Sequence, residues 1–263
     1  MQSLNGLHAR FHKTLHTHCR MIKYYIPRYV HFALEGDVAV FMNLRLDQYS
    51  MLVGTKARAF RMLVSRATES MQGAIHLDTA HVDQESKMLQ DQLIAELLSH
   101  GLLIDSNIDC DPSLPAELSL PQQHLLEPEA AGGTSVGVRE AWHFFVACAI
   151  AKWRLSRTSI EHTVGSIQRR KRLHVSRMLW DVDEARRLVR IYNRLRPLIP
   201  LDYLCTFDSL SLLEFLARHH CYPNWVFAVQ LEPWAAHCWV QYDDIVFNET
   251  LEDARTHLPL LSI

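Results

Sequence analysis

Leu204-Cys205-Thr206-Phe207-Asp208-Ser209-Leu210-Ser211-Leu212-Leu213 is the stretch on which the reading of this chain turns. Pro200 cannot lie inside a helix, so this apolar helical pattern must begin after it, with Cys205 in or near the first turn. Backbone N–H groups there have no partner within the helix and point outward. They favour a thiolate, drawing a thiol down from about 8.5, and they are placed to hold an oxyanion once the sulfur attacks a carbonyl. Thirty-two positions later (205 to 237), Ala236-His237-Cys238-Trp239-Val240-Gln241-Tyr242 reads as an aromatic strand that would hold the imidazole rigidly. On a strand His237 shares its face with Trp239 and Gln241. A thiol at a helix start with an imidazole nearby is a nucleophile and its base, and such a pair needs a third group to orient the ring. The candidates are Asp243, Asp244, Asn248 and Glu249. Asp243-Asp244 reads as a hairpin turn, whereas Asn248 and Glu249 lie on the returning strand beside His237.

Moving upstream, residues 181–196 are helical by spacing, with Ala185, Leu188, Val189 and Tyr192 on one face, and Pro197 and Pro200 end the pattern. Residues 140–156 read as a mostly buried helix, and Gln168-Arg169-Arg170-Lys171-Arg172 as a solvated basic face. Strands are expected at 225–230, 237–242 and 244–248. Between 105 and 137 the composition shifts to Pro, Gly, Ser and Glu, and Pro112, Pro115, Pro121 and Pro128 forbid a continuous helix, so this reads as a linker. Before it come short strands at 29–34, 38–44 and 48–53, with Glu35-Gly36-Asp37 as a tight turn, then helices at 55–67 and 83–100 with Gly101 as the stop. Three strands followed by helices is a winged-helix-like layout.

The totals exclude several classes. Twenty-seven Lys and Arg against 29 Asp and Glu give a formal net charge of −2, no basis for a nucleic-acid or membrane surface as partner. No apolar run reaches the length of a membrane span, and residues 1–20 lack an apolar signal core, which points to the cytosol. The six cysteines have no paired short spacings, against a zinc ribbon or disulfide framework. His16-Thr17-His18-Cys19 has no second ligand cluster to complete a metal site, so neither metal nor cofactor is expected.

Arg196-Pro197-Leu198-Ile199-Pro200, then Cys205 with Ser209 four residues on, then Ala235-Ala236-His237-Cys238-Trp239-Val240, resembles the lasso-peptide B proteins. These are transglutaminase-like cysteine proteases that remove the leader from a ribosomally made precursor. The N-terminal layout resembles the PqqD-like recognition element of the fused form. The resemblance implies an α+β chain: a winged-helix (PqqD-like) domain at 22–106, a linker at 107–136, and a transglutaminase/papain-like cysteine protease domain at 137–263. It also implies a Cys-His-acid triad, carried to Cys205 and His237. The acid role falls on Glu249 from the Phe247-Asn248-Glu249-Thr250 context, with Asp244 or Asn248 as substitutes. The leader would add as a strand beside Tyr49, Ser50, Met51, Leu52 and Val53, packed against Leu93 and Leu97; those two leucines are equally readable as core. The implied partners are the precursor's leader and an ATP-dependent, asparagine-synthetase-like cyclase. A non-catalytic leader-binding adaptor and an amide-forming acyltransferase are the competing readings, and a winged-helix DNA binder is the weakest.

Overall fold

The computed structural model describes residues 23–68, 74–76, 84–105, 118–126, 135–174 and 181–263. The His16–Cys19 cluster and most of the 107–136 stretch lie outside them. In the N-terminal half, β1 (Lys23–Tyr25) is followed by the antiparallel meander β2 (Val30–Glu35), β3 (Val38–Asn43) and β4 (Gln48–Val53). The register closes without a bulge, from Val30↔Asn43 to Glu35↔Val38 and from Val38↔Val53 to Asn43↔Gln48. Only two residues turn the first hairpin, and Gly36 takes φ +51° there, a conformation that costs a glycine nothing. Helix α1 (Thr55–Thr68) then crosses the sheet, and Phe60 stands edge-on to Phe32 and Phe41 at 5.3 and 4.8 Å. Strand β5 (Ala74–His76) pairs antiparallel with β1, and α2 (Gln84–Ser99) follows. Gly101, at φ +65°, ends α2: its N–H bonds the Leu98 carbonyl at 3.0 Å and that of Leu102 bonds Leu97 at 2.9 Å.

The C-terminal half begins with a short strand, β6 (Gln123–His124), inside the stretch expected to be a linker. It pairs parallel with β9, and Leu125 beside it is buried, so this part of the chain is built into the sheet. Helices α3 (Val138–Arg157), α4 (Ile160–His174) and α5 (Val182–Leu195) follow, and Asp181 caps α5 by accepting the Asp183 N–H at 2.9 Å. One 3₁₀ turn at Arg196–Leu198 leads to α6 (Cys205–Ala217). Next come β7 (Asn224–Gln230), β8 (Ala235–Tyr242), β9 (Ile245–Val246), α7 (Leu251–Thr256) and β10 (Leu258–Ser262). The sheet order is β10-β7-β8-β9-β6, so β10, which no pattern in the sequence announced, returns to flank β7.

Helix α6 is the centre of this half. From Ser209 to Leu216 every residue is buried, as expected of a helix apolar on all sides and packed between α3 and the sheet. Its two buried serines are both held by neighbours. Ser209 Oγ donates to the Cys238 carbonyl at 3.0 Å, and Ser211 Oγ to that of Phe207 at 2.7 Å. Glu214, 3 % exposed, lies among Arg154, Arg170 and Arg218 at 3.6, 2.7 and 3.6 Å. The basic run therefore departs from the solvated face expected: Arg170 neutralises a buried carboxylate, and the Lys171 ammonium donates to Asn224. Burial pulls Lys171 down to about 8.

The two halves share one apolar core running from Ile26 to Ile263, with β10 packed against β2 and β3. Among the described residues no helix is long and apolar enough to cross a membrane.

Candidate active site

Three elements converge on one sulfur. The first is the start of α6. Leu204 stands at its N-cap in extended conformation and offers no side-chain acceptor, and the first helical hydrogen bond runs from Asp208 N–H to the Leu204 carbonyl at 2.9 Å. The N–H groups of Cys205, Thr206 and Phe207 are thus outside the helix's own ladder, the condition for stabilising an anion there. Arg196 fixes this start. Its guanidinium, 3 % exposed, donates to the Asp208 carboxylate and to the carbonyls of Leu201 (3.3 Å) and Asp202 (3.0 Å), with the rings of Tyr203 and Phe207 against it. Arg196 thereby strings residues 201–208 together from the end of the preceding helix.

The second element is β8, whose opening residues carry His237. The ring's Nε2 bonds the Glu249 carboxylate, and Nδ1 is the nitrogen left for the thiol. The rings of Trp239 and His257 flank it at 6.1 and 5.3 Å. The third element is the segment between β9 and α7. There Glu249 uses one oxygen on His237 and the other on the Thr250 N–H at 2.8 Å. Asn248 is occupied elsewhere, accepting from the Val240 N–H (2.8 Å) and donating to Ser209 Oγ (3.2 Å), which makes it a strut between β8 and α6. Of the four orienting candidates, Glu249 is the one that reaches the ring. Asp243 sits in the β8–β9 turn at φ +50° and accepts from Ser119 Oγ at 2.6 Å.

Electrostatics follow from these contacts. The Cys205 thiol is pulled to about 4: the neighbouring Cys238 thiol hydrogen-bonds its sulfur, burial opposes, and hydrogen bonds and charge from His237, then a bond from Thr206, add to the effect. His237 is raised to about 9 by its bonds to Cys205 and then Glu249, against burial. At neutral pH the pair therefore stands as thiolate and imidazolium. Cys238 moves the opposite way, pushed well above the ordinary thiol range by burial, then by its hydrogen bond to Cys205 and the charge there, and it stays an S–H donor. Thr206 Oγ1 lies 3.9 Å from one sulfur and 3.8 Å from the other.

Cys238 and Thr206 were not singled out from the sequence, where Cys238 reads as a small buried hydrophobe. A signal was present: strand alternation places Cys238 one residue from His237 on the opposite face, the face α6 covers.

The residues expected to bind a leader do not form one surface. Met51 and Val53 are exposed by 51 and 57 %, and Ser50 is exposed too, whereas Leu52, Leu93 and Leu97 are buried in the core. Tyr49 lines the cavity beside Cys205, a space of about 370 Å³ that also opens onto Thr206, His237 and Cys238.

Against known proteins, residues 143–262 match the Transglutaminase-like superfamily. No curated protein and no solved structure matches the chain. The matched stretch runs from α3 into β10 and holds Cys205, His237 and Glu249, while the N-terminal half lies outside it. Residues 143–262 are thus similar to a transglutaminase-like superfamily domain, a fold consistent with a cysteine protease or an acyltransferase.

Proposed function

We propose that this protein is a cysteine endopeptidase that binds the leader of a lasso-peptide precursor and cleaves the leader–core junction. The observation that carries the chemistry is the contact of Cys205 with His237, and of His237 with Glu249, at the head of α6 beside a cavity of about 370 Å³. The Cys205 thiolate attacks the scissile carbonyl carbon, and the developing oxyanion is met by the free N–H groups of the α6 start. The His237 imidazolium gives its proton to the leaving amine as the C–N bond breaks, leaving the leader's carbonyl as a thioester on Cys205. Water, deprotonated by His237, then adds to the thioester, and the thiolate leaves. Glu249 holds the ring in the required orientation throughout.

The lasso-peptide assignment rests on the sequence resemblance. The meander β2–β3–β4 followed by helices supports a winged-helix, PqqD-like recognition unit in the N-terminal half. Among the described residues no strand pairs with the outer edge of β4, which leaves a row of backbone groups for an incoming strand. A leader held on that edge raises the local concentration of its scissile bond at Cys205. The freed core would pass to an ATP-dependent, asparagine-synthetase-like cyclase in the cytosol, with no nucleic acid, membrane or cofactor involved.

The test is cleavage of a leader–core peptide followed by mass spectrometry. Wild-type protein releases the core with a free amine and the leader with a free carboxylate. Cys205→Ala lowers the rate by at least about 10³-fold while leader binding, measured by fluorescence anisotropy, is retained. Cleavage by Cys205→Ala at a wild-type rate would overturn the assignment.

A further inference from the structure

The wall opposite the reactive pair comes from the other half of the chain. The cavity beside Cys205 and His237 is closed by Met42 near the end of β3, by Leu44 and the turn that follows, and by Tyr49 on β4. Tyr49 is half-buried between exposed neighbours, Gln48 and Ser50. Its ring meets that of Trp234 at 6.1 Å and 74°, edge to face. Trp234 lies in the β7–β8 turn, three residues ahead of His237, and is itself 47 % exposed. The two rings thus join the halves at the rim of the cleft, a geometry that favours aromatic pairs beyond their area burial. Burial, and then the nearby Cys238, Asp47 and Cys205, keep the phenol far above its ordinary range, so it remains a neutral O–H.

We infer that Tyr49 is a positioning residue of the cysteine site: braced by Trp234, its ring closes the cleft over Cys205 and selects the side chain flanking the scissile carbonyl. This deepens the peptidase reading and rests on it. Apart from Arg45, Asp47 and the Cys205–His237 pair, the lining is neutral and largely apolar, with Leu155, Ile160 and Phe227 completing it, so the selected side chain is apolar and of limited size. One strand then serves two ends. The backbone edge of β4 is available to a bound peptide, while the Tyr49 side chain reaches the thiolate's cavity, which ties the grip on a leader directly to the geometry of the cut.

The experiment measures alkylation of Cys205 by a small reagent, iodoacetamide, and by a bulky one, N-phenylmaleimide, located by peptide mass mapping. It needs no substrate turnover. Tyr49→Ala raises the bulky-to-small rate ratio about tenfold, Tyr49→Phe leaves that ratio at the wild-type value, and Trp234→Ala raises it in the same direction. With precursor peptides, Tyr49→Ala shifts the kcat/KM preference toward a larger residue before the scissile bond. Circular dichroism identifies any variant that fails to fold, and Trp234→Ala then stands in for Tyr49→Ala. A raised ratio supports the wall even where wild-type protein cleaves no precursor. An unchanged ratio in both alanine variants overturns it even where wild-type cleavage is efficient.

Discussion

Two sulfurs meet at this site and have opposite fates. Cys205 sits at an open helix start, partly exposed, with an imidazole beside it, and it ionises readily. Cys238 sits inside β8 at 2 % exposure, hemmed in by α6, and keeps its proton. They share the Thr206 hydroxyl, so that contact does not separate them. What separates them is burial, which holds the Cys238 proton in place, and the donors and positive charge gathered on Cys205: the Cys238 thiol, His237 and the helix N–H groups. Nucleophilicity here is a property of the element that carries the thiol, and the neighbouring thiol becomes useful as a donor to the first.

The sharpest way to break that contrast is to remove the ring. In His237→Ala the thiolate loses its counter-charge and the leaving amine loses its acid, so cleavage falls by about 10³-fold or more. Iodoacetamide labelling at pH 6 falls as well, because the Cys205 thiol then titrates higher; in steady-state assays the loss appears in kcat. In the wild type the sign runs both ways. The thiolate is lost as pH falls through about 4 and the imidazolium as pH rises through about 9, so kcat/KM follows a bell with its plateau between them. The groups facing the ring besides Cys205 are Glu249 and His257.

The contrast also depends on α6 starting where it does, and Arg196 is what fixes that start. Replacing Arg196 with Met removes a buried partner and leaves Asp208 with an uncompensated charge at low exposure, at a cost of about 3 kcal/mol. Burial already raises Asp208 in spite of Arg196. At roughly 2–4 °C per kcal/mol for a chain of this size, the melting temperature drops by about 8 °C, which thermal unfolding followed by circular dichroism would register.

Much of this was legible in the chain itself, and the reason is physical. Pro200 followed by an apolar helical pattern fixes a helix start, and Ala236–Tyr242 is rich in aromatic and β-branched residues at strand length; those two local facts are enough to propose Cys205 and His237. The meander β2–β3–β4 was readable because Gly36-Asp37 is a tight turn between two apolar runs of strand length. What stayed hidden depends on contacts distant in sequence. Strand β10 carries Leu258-Pro259-Leu260-Leu261, a run that alternates weakly, and it becomes a strand by pairing with β7. The pairing of β6 with β9 spans more than a hundred residues. Tyr49 reads as an ordinary strand residue until β4 is set beside Cys205, and the Arg170 and Lys171 side chains look solvated until α4 is laid against α6 and Asn224.

Glu249 tests the ring's own support. Glu249→Gln keeps the size and a hydrogen bond but removes the charge that helps hold His237 protonated. The high-pH limb of the profile therefore moves to lower pH, and kcat falls by about 10²-fold as the imidazole loses its fixed orientation. Glu249→Asp, one methylene shorter, keeps the charge and shows the smaller shift of the limb, so a pH series on the two variants separates charge from reach.

The finest test separates the two sulfurs directly. The Cys238 thiol is the foremost influence lowering Cys205, so Cys238→Ala lets the Cys205 thiol rise and carries the low-pH limb of alkylation to higher pH. Cys238→Ser retains a donor in the same place and keeps the limb near its wild-type position. Both variants lose some packing in a buried site, about 1 kcal/mol, so stability changes alike in the two while the limb moves in one. Iodoacetamide rates from pH 3 to 8 read the difference. Should Ala and Ser shift the limb equally, the effect would come from the volume of the side chain, and the opposing fates of the two thiols would rest on His237 and the helix start alone.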